Sequence, residues 1–151
     1  MSIRGEDIRN IAVIGHSGEG KTSVCEAILF NGKATDRLGK VTEGTTVTDS
    51  DEQEIARKMS ISLSAAYAMW EGVKLNLLDV PGFYDFEGEE NEALRAAGGA
   101  LIVTGATGAV SVGAEKAIDK CLKNKIPMVI FINGMDKENA DYKGTVAALK
   151  E

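Results

Sequence analysis

Ile11-Ala12-Val13-Ile14 leads directly into Gly15-His16-Ser17-Gly18-Glu19-Gly20-Lys21-Thr22. The first four residues are apolar and mostly β-branched, as in a strand, and the next eight fit G-x-x-x-x-G-K-[ST]. From Ser23 onward the residues suit a helix. A strand, a glycine loop and a helix start in that order make a phosphate-binding loop. Its backbone N–H groups can converge on phosphate oxygens only where no Cβ blocks the approach and positive φ is permitted. The candidate binding residues are therefore His16, Ser17, Gly18, Glu19, Gly20, Lys21, Thr22 and Ser23. Lys21 would reach the β- and γ-phosphates, Thr22 would offer its hydroxyl to Mg²⁺, and the helix start adds a dipole that favours the anion. His16, the only histidine, is expected to pack this loop against the sheet. A general base would have to reach the attacking water across the γ-phosphate.

The chain has 151 residues, 44% of them hydrophobic and 26% charged, which is enough for one domain with a real core. A net charge of −6 argues against a broad polyphosphate-binding surface, so no direct DNA contact is expected and any RNA contact would be local. The stretch Met1 to Asp7 has no apolar signal core, and no run approaches the roughly 18 apolar residues of a membrane span. Cys25 and Cys121 fall on apolar helical faces and read as core thiols in a reducing cytoplasm.

Val24, Cys25, Ile28 and Leu29 form one helical stripe that Asn31-Gly32 should end. Residues 32 to 60 show neither a helical nor a strand period, which in a compact domain marks a functional or mobile connection. Within it Ser50-Asp51-Glu52-Gln53 resembles a capping box and suggests a short helix over about 51–58. Alternation from Ile61 to Trp70, the turn Glu71-Gly72 and the run Val73 to Leu78 predict an antiparallel hairpin. Beyond an acidic segment, Glu87 to Glu92, Ala100 to Val103 reads as a strand. Ala114, Ala117, Ile118, Cys121 and Leu122 mark one face of a helix, with Lys120, Lys123 and Lys125 near its C-terminal end. Met128 to Ile132 reads as a strand buried on both faces, and Tyr142 to Leu149 as a last helix. Strands alternating with helices imply an α/β fold of the P-loop NTPase kind: a mostly parallel, three-layer sheet with one antiparallel strand. Ligands of such sheets sit at the carboxyl ends of the strands, where the loops after the first, third and fifth strands meet.

Two of those loops carry further patterns. In Asp79-Val80-Pro81-Gly82, Asp79 ends a strand and could reach a hydrated metal, while Gly82 could aim its N–H at a γ-phosphate. In Asn133-Gly134-Met135-Asp136, the Asp136 carboxylate could accept the two donors of guanine N1 and N2. Adenine has no such donor pair and would leave that charge unpaired.

These three motifs, with Asp85-Phe86 after the second, resemble the G domain of translational GTPases, and most closely that of elongation factor G and its elongation-factor-G-like relatives. The resemblance covers almost the whole chain and implies GTP or GDP as ligand, Mg²⁺ as cofactor and GTP hydrolysis as the activity. It also implies the ribosome as partner of a full-length protein. By this match Arg57-Lys58-Met59-Ser60-Ile61-Ser62 is the end of a first switch spanning about 32–60, and a second switch spans about 79–92. Ser60 takes the position of a threonine that senses Mg²⁺ and the γ-phosphate, so Thr22, Ser60 and Asp79 are the expected metal contacts, and Lys21, Ser60 and Gly82 the expected catalytic group.

Four departures limit the carry-over. Phe83 stands where the family has its catalytic histidine and cannot orient water; Tyr84 and Asp85 are close in sequence only. Gly18 replaces the usual loop aspartate, and Gly134 replaces a lysine whose stem packs along the guanine. The chain also ends at Glu151, before the strand with a Ser-Ala motif, so the G domain is expected to be incomplete at its C-terminus. Two readings follow for hydrolysis: a slow GTPase, or a GTP-sensing module with little or no catalysis. An adenine-nucleotide kinase or ATPase is disfavoured by Asn133 and Asp136.

Overall fold

The computed structural model describes residues 3–83 and 87–150. Five strands, β1 (Ile8–Ile14), β2 (Ser64–Trp70), β3 (Val73–Asp79), β4 (Gly99–Gly105) and β5 (Met128–Asn133), form one sheet in the order β2-β3-β1-β4-β5. The pairs β1–β3, β1–β4 and β4–β5 are parallel, and β2–β3 is the expected antiparallel hairpin. The helices are α1 (Lys21–Asn31), α2 (Glu52–Arg57), α3 (Glu87–Ala96), α4 (Val112–Asn124) and α5 (Tyr142–Ala148).

Strand β1 is central, and the alternation of its side chains builds both layers of core. Ala12 and Ile14 pack with Ala93 and Leu94 of α3 and Ala114, Ala117 and Cys121 of α4. Val13 packs on the other face with Val24, Cys25 and Leu29 of α1. This gives the three-layer α/β arrangement, with both cysteines free and buried as core thiols. Register sets the site: Val13 lies opposite Asp79, and Gly105 opposite Asn133, so these strands end at one edge.

Several elements differ from their sequence reading, each for a physical reason. Strand β2 begins at Ser64 rather than Ile61, because the N–H groups of Ile61 and Ser62 are taken by the Glu54 carboxylate and that of Leu63 by Glu89. The short helix α2 is capped by Asp51 rather than Ser50, and the box is closed by Glu54 rather than Gln53. The acidic segment is helix α3, since Glu and Ala are good helix formers and Ala93 and Leu94 supply the buried stripe. Gly32 ends α1 with a φ of −75°, not in the left-handed region; a Cβ there would stand 2.7 Å from that of Ala68, so the constraint is close packing on β2.

Strand β5 is an edge strand and is not buried on both faces. Met128 and Ile130 join the α3/α4 core, whereas Val129 and Phe131 are 66% and 43% exposed because α1 does not reach over them. Phe131 borders an open apolar groove of about 510 Å³ whose lining also includes Ile28, Leu75 and Leu101. Leu122, assigned to the inner face of α4, is also exposed; the helix turns it away from Cys121 to solvent.

Candidate functional site

The glycine loop folds over the end of β1 and is tied to its neighbours by side chains. Lys21 opens α1, yet its chain turns back so that Nζ donates to the His16 carbonyl at 2.9 Å. It is 6% exposed, and burial pulls its pKa below the ordinary lysine value against the opposing pull of Asp79 and Glu19. The Glu19 carboxylate accepts from the N–H of His16 at 3.1 Å and from that of Gly105, at the end of β4, at 3.2 Å. The Glu19 carbonyl accepts from Asn133 Nδ2, at the end of β5, at 2.8 Å. His16 lies against the first turn of α4, where a Cβ on Gly113 would stand 2.7–2.9 Å from His16 Cα, Cβ and Nδ1.

The turn after β3 meets the same loop. Gly82 lies so close to Ser17 that a Cβ would fall 2.6 Å from the Ser17 nitrogen and onto Lys21 Nζ, so only glycine fits. Asp79 is 1% exposed, and Thr48 Oγ1 donates to its Oδ2 at 2.8 Å. Burial raises its pKa to about 6, against the hydrogen bond from Thr48 and the neighbouring Thr22 hydroxyl and Lys21 ammonium. Its Oδ1 is buried and takes no hydrogen bond of ordinary geometry from the described residues. Tyr84, Asp85 and Phe86 lie outside the described residues.

The stretch expected to be an unpatterned connection is packed onto this cluster. Ser60 Oγ lies 3.1 Å from Thr22 Oγ1 and donates to Asp49 Oδ1 at 2.6 Å. Asp49 is buried, and desolvation raises its pKa against that hydrogen bond. Two further buried carboxylates pin the segment. Glu26 of α1 accepts from the Val47 N–H at 2.6 Å, next to Thr48, and Glu54 accepts from Asp51, Ile61 and Ser62. Sequence reasoning missed Glu26, Thr48, Asp49 and Glu54. Glu26 had a signal, since a carboxylate inside the Val24–Leu29 stripe must find donors when buried. Thr48 and Asp49 had none, because nothing in their spacing announces contact with a strand end 31 residues away.

Ser17, Gly18, Gly20, Lys21, Thr22, Ser23, Ser60, Gly82 and Phe83 therefore line one cleft of about 380 Å³. Asn133 joins it as a brace on the loop rather than as an open base contact, and Asp136 is exposed at the far end of its turn. Among the described residues no group of three or more His, Cys, Asp or Glu could hold a metal. The hard oxygens here are sparse: the Thr22 and Ser60 hydroxyls of the cleft and the buried Asp79 carboxylate beside Thr22. That set fits Mg²⁺, which keeps several waters and needs only one or two carboxylates beside the substrate's phosphates.

Residues 6–151 match the family model described as "Elongation factor Tu GTP binding domain". The chain belongs to this family. Among curated relatives, it is 39% identical over 144 residues to "Elongation factor G-like protein" of Mycobacterium tuberculosis, covering 95% of this chain and 20% of that one. It is 38% identical over 146 residues to "Elongation factor G" of Dehalococcoides mccartyi, with 97% and 21% covered. A third relative, "Ribosome-releasing factor 2, mitochondrial" of Drosophila ananassae, is 40% identical over 144 residues, with 95% and 19% covered. A crystal structure of a Thermus thermophilus protein superposes with a TM-score of 0.86 at 36% identity, covering 95% of this chain and 21% of that one. The chain thus spans about a fifth of the length of these relatives. Among the described residues no helix is long and apolar enough to cross a membrane.

Proposed function

We propose that this chain is the GTP-binding, Mg²⁺-dependent GTPase domain of an elongation-factor-G-like translation factor that works on the ribosome in the cytoplasm. The observation that carries the reading is the meeting of three turns. Gly82 touches Ser17 and Lys21, and Asn133 holds the carbonyl of Glu19, so the ends of β1, β3 and β5 form one surface. The loop amides and Lys21 would hold the phosphates and the Gly82 N–H would meet the terminal one. Thr22, Ser60 and Asp79 would hold Mg²⁺, which supplies charge neutralisation at the β- and γ-phosphates when bound. Asp136 would select guanine by accepting its N1 and N2 donors. Residues 32–60 and 79–92 would act as the switches, since Ser60 and Gly82 are the points at which each would sense the γ-phosphate.

A second reading, a GTP-sensing module with little hydrolysis, is favoured by Phe83. It lines the cleft beside Ser60 and Gly82 and carries no group able to orient water. Single-turnover GTP hydrolysis with and without ribosomes separates the two, using the wild-type chain and Phe83→His. A GTPase turns over in the wild-type form, faster with ribosomes. A sensing module binds the nucleotide without turnover and gains activity only in the variant.

A further inference from the structure

We propose that Lys137 supplies the apolar platform for one face of the purine, a part open to it because Gly134 has no side chain. The inference rests on the guanine-nucleotide reading above and concerns the end of the site where that reading is thinnest. Asn133 spends its amide on the Glu19 carbonyl, and Asp136 can address only the edge of a base. Neither covers a ring face.

The turn between them does. Gly134 has a φ of +76°, and the Lys137 N–H donates to the Gly134 carbonyl at 3.2 Å, which folds the chain back on itself. Lys137 Cε, Cδ and Nζ then lie 3.2, 3.3 and 3.6 Å from the point where a Cβ on Gly134 would stand. The stem thus fills the corridor by which any side chain at 134 would leave the backbone, between the residue that braces the loop and the residue that reads the base. Lys137 is exposed, and its ammonium makes no ion pair among the described residues. A methylene stem with a solvated ammonium suits a flat aromatic ring, through dispersion along the stem and attraction of the cation to the π-face.

The test is calorimetric titration of the 151-residue chain with GDP and, separately, with inorganic tripolyphosphate, both with Mg²⁺. Lys137→Ala is expected to weaken GDP binding about fivefold to tenfold, to leave tripolyphosphate unchanged and to leave the melting temperature unchanged. Lys137→Met, which keeps the stem, should recover part of the loss, and Gly134→Lys added to Lys137→Ala should recover more than Gly134→Lys adds to the wild type. Equal losses for both ligands would show a general charge effect and overturn the inference. So would wild-type GDP affinity in Lys137→Ala, or a loss confined to Met135→Ala. A wild-type chain that binds tripolyphosphate but shows no added affinity for GDP would instead overturn the guanine reading beneath it.

Discussion

The two ends of the site are built in opposite ways. At the proposed phosphate end Lys21, Thr22, Asp49 and Asp79 are all buried, and hydrogen bonds with His16, Thr48 and Ser60 fix their positions. At the proposed purine end Met135, Asp136 and Lys137 are exposed on one turn, which is anchored through Asn133, by its side chain to the Glu19 carbonyl and by its own carbonyl to the Ala106 N–H. Buried polar groups need their partners and so become rigid, whereas an exposed turn can be left to its ligand. The phosphates should therefore provide most of the affinity, and the base most of the choice.

Changes at the phosphate end should cost more. Lys21→Ala removes the desolvated cation proposed to meet the phosphates and should weaken Mg²⁺·GDP binding by at least about 100-fold, measured by calorimetry. Asp79→Asn should remove about 10- to 100-fold, with nearly all of the loss in the Mg²⁺-dependent part, so that titrations with and without the metal converge. The same carboxylate sets a pH dependence. Its native pKa of about 6 lies above the ordinary 3.8, so the folded chain holds the proton more tightly than the unfolded one. Without metal, its contribution to stability is present in full below 3.8 and is lost as pH rises through about 6. Melting curves across that window should show the decline in the wild type and a flatter course in Asp79→Asn.

Asp136→Asn probes the other end. Guanine preference over adenine, read by competition between GTP and ATP, should fall about tenfold while phosphate affinity holds; an unchanged preference would remove the basis for the guanine assignment. The smallest effect is expected from Glu26→Ala, which frees the Val47 N–H without touching the cleft. It should cost about 1–3 kcal/mol of stability and speed amide exchange in residues 39–49, leaving GDP affinity within a fewfold of wild type.

The same contrast explains what could be read from the letters. Lys21, Gly82 and Asn133 were legible because their three short motifs, two of them weak alone, occur in one order at three strand ends. The α/β class and the antiparallel hairpin were legible because apolar runs alternate with helical stripes, whereas the strand order β2-β3-β1-β4-β5 was not. What the residues hid was contact between distant segments. Thr48 reaches Asp79, Glu54 serves Ile61 and Ser62, and His16 meets Gly113, pairings that no local period encodes. The burial of β5 was misjudged for a related reason: an apolar run shows that a strand is hydrophobic, not that a helix lies over both of its faces.

The central claim is that the turns after β1, β3 and β5 close on one guanine nucleotide. Amide chemical-shift mapping of the chain on adding Mg²⁺·GDP tests it most directly. The account predicts that amides of residues 15–23, 79–83 and 133–137 shift together along a single binding curve. Shifts confined to 15–23, or separate curves for the three turns, would contradict it.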